Sequence, residues 1–74
     1  MTYRFTRRLN DGSAFILGHA VQYEPSVLGD PGGWRFFPNV SGRKPSLKRH
    51  ATMEKCLPRW VGYPDHCESM KVAS

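Results

Sequence analysis

Apolar and polar side chains alternate in two neighbouring stretches near the amino terminus. Between Tyr3 and Leu9, the side chains of Tyr3, Phe5, Arg7 and Leu9 project to one side and those of Arg4, Thr6 and Arg8 to the other. A period of two is that of a strand. Ala14 to Tyr23 alternates as well, with Phe15, Leu17, His19, Val21 and Tyr23 on one side and Ala14, Ile16, Gly18, Ala20 and Gln22 on the other.

Asn10-Asp11-Gly12 joins the two strands, and the core pattern decides how. A two-residue turn at Asp11-Gly12 would set Phe5 opposite Gly18 and leave the large side chains of the two strands on opposite faces. A three-residue loop, with a type I turn on Asn10-Asp11 and Gly12 in the left-handed bulge position, pairs Phe5 with Leu17, Arg7 with Phe15 and Tyr3 with His19. This second register is expected, because it gathers Tyr3, Phe5, Phe15, Leu17, Val21 and Tyr23 on one face.

Glu24 to Gly33 holds two prolines and three glycines, a composition that reads as a connection. Trp34 to Val40 follows as a third strand, with Trp34, Phe36 and Val40 inward and Arg35, Phe37 and Asn39 outward. Pro38 has no N–H to donate, so this strand is expected to be an edge or to end there. A basic loop, Ser41 to His50, leads to a helix opened by Thr52, a good N-cap, with Glu54 in its first turn. At helical spacing Met53, Cys56, Leu57, Trp60 and Val61 share one face, opposite Glu54, Lys55, Pro58 and Arg59. Pro58 lies on the polar side, so the helix is expected to bend there and continue.

The expected fold is therefore α+β, a three-stranded antiparallel meander packed on one C-terminal helix (βββα). It forms a single domain over residues 1–62, with 63–74 as a partly ordered tail. A chain of 74 residues supports one core, since about 60% of its unfolded surface is buried on folding. Eleven Lys and Arg against six Asp and Glu give a net charge of +5, which favours polyanionic or acidic partners. Two cysteines are too few for a disulfide framework, and no window approaches roughly 18 apolar residues. No membrane association and a cytoplasmic location are expected.

No catalytic or metal signature stands out. Cys56, Cys67, His50 and His66 lack paired metal-ligand spacing. Asp65-His66-Cys67 contains the residue types of a catalytic trio, but such trios assemble from distant positions. No glycine-rich phosphate loop follows a strand. A non-enzymatic protein without cofactor is expected.

With the helix covering the aromatic face, the other sheet face would display Arg4, Thr6, Arg8, Ile16, Gln22, Arg35, Phe37 and Asn39. Arginine there can contact phosphate or guanine, and Asn or Gln can read adenine. The plainer alternative is a solvated sheet face kept soluble by its arginines. The loop adds Arg43, Lys44, Lys48 and Arg49, four cations within seven residues, suited to phosphate contacts if flexible. The candidate nucleic-acid-binding residues are thus Arg4, Thr6, Arg8, Arg35, Phe37, Arg43, Lys44, Lys48 and Arg49.

Trp34-Arg35-Phe36, Ser41-Gly42-Arg43-Lys44 and Thr52-Met53-Glu54-Lys55, with their setting about a third of the chain, resemble the arm-type DNA-binding domain of tyrosine integrases and its plant AP2 relatives. The resemblance implies DNA contact through the exposed sheet face, mapping onto Arg4, Thr6, Arg8, Arg35 and Phe37. The leading expectation is a small basic module that contacts nucleic acid through that face and the loop, of a size suited to an accessory protein of a phage or mobile element. The alternatives are an inhibitor or adaptor that docks on an acidic protein surface, and a dimerising module using the edge strand near Pro38.

Overall fold

A computed structural model describes residues 1–72. Four antiparallel strands form one sheet: β1 (Thr2–Arg8), β2 (Ala14–Tyr23), β3 (Gly33–Pro38) and β4 (Glu68–Val72), in the spatial order β3-β2-β1-β4. The meander of the first three strands is as expected. The fourth strand comes from the segment expected to be a tail, and it pairs with the free edge of β1 from Thr2↔Val72 to Thr6↔Glu68. The fold is α+β with a four-stranded sheet, not a three-stranded one.

The β1–β2 hairpin contains both of the registers weighed above. Its loop is the three-residue one: Leu9 N–H donates to Ser13 O at 2.8 Å, Gly12 N–H to Leu9 O at 3.0 Å, and Gly12 has φ +88°. Arg7 pairs with Phe15 and Thr6 with Ile16, as that loop requires. The register then slips by one residue, so that Phe5 faces Gly18, Tyr3 faces Ala20 and Arg4 faces His19. Leu17 is the extra residue of a β-bulge and stays buried.

The expected pairs Phe5–Leu17 and Tyr3–His19 are thereby replaced, and His19, Val21 and Tyr23 turn to the outer face while Ala20 and Gln22 turn inward. The physical reason is β3. It sets Phe36 opposite Ala20 and Pro38 opposite Gly18, and a large aromatic ring laid across β2 needs small neighbours beneath it. A Cβ added to Gly18 would lie 2.5 Å from the Phe36 ring and 2.6 Å from Phe37 O.

The inner face is organised by edge-to-face aromatic contacts. Phe5 meets Phe36 at 6.1 Å between ring centroids and Tyr63 at 5.2 Å, and Phe36 meets Trp60 at 5.9 Å. Phe5, Phe36 and Val61 are almost wholly buried, with Leu17, Ala20, Cys56 and Cys67 around them. Truncating Phe5 or Phe36 to alanine removes about 3–5 kcal/mol at such sites.

The helix α1 spans only Met53–Cys56. Thr52 caps it, its Oγ1 accepting from Lys55 N–H at 3.2 Å. It stops before Pro58 instead of bending through it, because a proline ring excludes its predecessor from the helical region. Leu57 is accordingly extended (φ −81°, ψ 128°), and a 3₁₀ turn, Arg59–Val61, restarts the coil after Pro58. The expected apolar side chains still reach the core, since Cys56 and Val61 are buried and Met53, Leu57 and Trp60 pack against them. Arg7, inward on β1, ties this layer to the sheet. Its Nη2 donates to the carbonyls of Trp60 and Val61 at 3.1 Å each, and its Nε donates to that of His66 at 3.3 Å.

Gly18 generates the first prediction. Gly18→Ala should lower stability by about 1–3 kcal/mol, the range for an overfilled core. Gly12→Ala, whose added methyl meets open space, should cost only about 1 kcal/mol from its left-handed backbone. Urea unfolding of the two variants measures the difference, and equal losses would contradict the packing argument at Gly18.

Candidate nucleic-acid interface

The loop from Asn39 to Thr52 is laid along the outer edge of β3. Trp34 and His50 exchange both backbone hydrogen bonds at 2.8 Å. Ser46 makes the second junction: its N–H donates to Phe36 O at 3.0 Å, and its Oγ accepts from Phe36 N–H at 3.0 Å. A free strand edge is left with unpaired backbone groups, and here Trp34 and Phe36 are both satisfied by the loop. The basic loop, suited to phosphate contacts if flexible, is thus anchored to the strand edge at Ser46 and His50.

On the outer face the strands align as rows. Met70, Arg4, His19 and Phe37 form one, and Val72, Thr2, Val21 and Arg35 the next. Arg4, Thr6, Arg35 and Phe37 therefore share this face as expected, joined by His19, while Gln22 is turned away by the bulge. Arg35 lies over the Phe37 ring, its Cζ 5.0 Å from the ring centroid, with Nε and Nη2 donating to Ser46 O at 3.2 and 2.9 Å. The contact stabilises the guanidinium's position by about 0.5–1 kcal/mol. Arg4 has no salt bridge among the described residues, and its buried Nε has no hydrogen-bond partner.

The remaining predicted residues do not all converge on this face. Arg8 is exposed, 4.0 Å from Glu68, too far for a strong pair. Arg49 lies 4.3 Å above the Tyr23 ring and is neutralised by Asp30. Asp30 in turn accepts from Gly32 N–H at 2.9 Å, and this bond together with Arg49 holds its carboxyl below the usual range. Lys44 and Lys48 are exposed in the loop. Arg43 faces the helix side, its Cζ 5.1 Å from the Trp60 ring centroid.

That helix side carries a feature the sequence reading missed. Loop and helix enclose an open cleft of about 470 Å³ whose lining includes Phe36, Arg43, Lys44, His50, Lys55 and Trp60. By helical spacing Lys55 belongs to the solvent face and Trp60 to the core. Only the anchoring of the loop brings Arg43 and Lys44 opposite them, and no periodicity in the sequence signals it.

Charge is polarised accordingly. Seven of the eleven cations but only one of the six acidic residues lie between Gly33 and Gly62, the segment that forms β3, the loop and the helix. The cysteines lie elsewhere in chemistry, both of them free and buried. Burial pushes the Cys56 thiol up to about 11, and Cys67 is raised for the same reason. Cys67 is in the core while Asp65 and His66 are exposed, so the three do not converge. Among the described residues no group of three or more His, Cys, Asp or Glu could hold a metal ion, and no helix is long and apolar enough to cross a membrane.

No protein-family model matches this chain, and comparison with curated proteins and with solved structures likewise yields no match.

The Cys56 thiol links folding to alkaline pH. A thiol whose folded value lies above its unfolded one favours the folded state below the unfolded value, and that contribution is lost as pH climbs to the folded one. The urea midpoint should therefore fall between pH 9.0 and about 11. Cys56→Ala should show a shallower fall over the same window, and an equally steep one would assign the loss to other groups.

Proposed function

We propose that this protein is a small, non-enzymatic nucleic-acid-binding module. The surface is the outer sheet face around Arg4, Thr6, Arg35 and Phe37, extended by Lys48 of the anchored loop and flanked by Arg8. The observation that carries this reading is the concentration of cations on the β3 side, with guanidinium groups held over aromatic rings. A preset, planar cation loses little freedom when it meets a phosphate. Phosphate contacts would fix the register of such a complex, and base edges would meet the exposed sheet face. The likeness to arm-type integrase domains, in the residues named above, points to the same face.

An acidic protein surface is the competing partner, since the same polarised charge would suit it. The two readings separate by salt dependence. Each phosphate neutralised adds about −0.9 to the slope of log affinity against log salt concentration. Four to five contacts should give a slope of roughly −4 with a mixed-sequence duplex. Fluorescence anisotropy at increasing salt measures it. Arg4→Glu with Arg35→Glu should weaken binding more than tenfold, on the order of 1.4 kcal/mol or more, and make the slope shallower. Absence of any binding at about 50 mM salt, or a double variant of unchanged affinity, would contradict the proposal.

A further inference from the structure

The cleft between loop and helix lies on the other side of β3 from the proposed sheet surface. Its lining includes three cations, Arg43, Lys44 and Lys55, and no acidic residue. None of the three has a salt-bridge partner among the described residues. Like charges gathered without a counter-charge favour the arrival of an anion. The wall they surround is aromatic, the half-buried Trp60 with Phe36 behind it. A ligand answering both features combines a phosphate with a planar ring. The volume of about 470 Å³ falls within the roughly 300–1,000 Å³ of small-ligand pockets.

We infer that the cleft takes one unstacked nucleotide of a single-stranded nucleic acid, its base on Trp60 and its phosphate between Lys44 and Lys55. The inference rests on the nucleic-acid reading and narrows it. Arg43 now covers the Trp60 ring at 5.1 Å from its centroid, too close for a base to enter between them. The base takes the place of the guanidinium, which moves to the phosphate. Aromatic stacking accepts any base, because each has a π face. A base within a duplex is paired and stacked on both sides and cannot reach the cleft without being extruded. A single strand is therefore bound through the cleft and a duplex through the sheet face alone.

The test is an NMR titration of the full chain with four probes: thymidine monophosphate, inorganic phosphate, oligothymidylate and a duplex. The mononucleotide and the oligothymidylate should shift the Trp60 indole N–H and the Lys55 amide, with the Trp34 indole unmoved. Phosphate should shift the Lys44 and Lys55 amides and leave the Trp60 indole unmoved. Lys55→Glu, exposed and remote from the core, should weaken mononucleotide binding about tenfold, as expected for a lost charge-assisted contact. Arg4→Glu, on the sheet face and without contact to the loop, should leave the Trp60 shifts intact. An unmoved Trp60 indole with the duplex still bound would overturn the cleft and spare the sheet face. Shifts at Trp60 without any duplex binding would uphold the cleft and remove the sheet face. Equal shifts from phosphate alone would also overturn it, leaving a plain anion site.

Discussion

The exposed edge of β3 is the constraint on which the rest of the structure turns. Trp34 and Phe36 point their backbone N–H and C=O groups away from β2, and a sheet edge left in this state is a template for pairing with another chain. The loop closes it with two hydrogen bonds at His50 and two at Ser46. Pro38, which cannot donate, stands where the strand ends. Once the loop is held there, Arg35 finds the Ser46 carbonyl, Arg49 finds Tyr23 and Asp30, and Arg43 reaches Trp60. Closing the edge and placing the charge are one event in this fold. The β3 edge is consequently closed at Trp34 and Phe36, and among the described residues β4 forms the other border of the sheet.

The same closure divides the basic side of the molecule into two surfaces. On one side of β3 the sheet presents Arg4, His19, Arg35 and Phe37, a shallow face. On the other, Arg43, Lys44 and Lys55 surround an aromatic wall. Beneath both runs the aromatic core of Phe5, Phe36 and Trp60, which fixes β3 against the helix layer. Arg7 has a different task from the other arginines. It satisfies three carbonyls at the end of the 3₁₀ turn and in the segment leading to β4, tying both to β1.

Much of the fold was legible in the sequence because it rests on local rules. The three-residue turn at Asn10-Asp11-Gly12, the antiparallel meander, the Thr52 cap and the apolar helix face all follow from turn chemistry and periodicity. What escaped depended on contacts between distant segments. The slip at Leu17 satisfies Phe36, which lies on another strand, and its one local sign was a glycine inside a strand pattern at Gly18. Pro58 falls on the polar side of the helical pattern, which points to a bend, whereas its ring acts on Leu57 and ends the helix. β4 has its apolar Met70 and Val72 outward and Ser69 inward, where the hydroxyl meets Tyr63 at 3.3 Å, so no core-facing pattern marked it. Of the candidate site, the sheet-face residues were legible from alternation. The cleft was not, since Lys55 and Trp60 join Arg43 and Lys44 only through the anchored loop.

The central claim is that the basic loop is a fixed part of the sheet edge, and amide hydrogen exchange tests it most directly. The N–H groups of Trp34, Phe36, Ser46 and His50 should exchange slowly, with protection comparable to that of the β1–β2 ladder, while those of Gly42 and Lys44 exchange fast. Protection at Ser46 and His50 no greater than at Gly42 would show a loop free of the edge and would contradict the account.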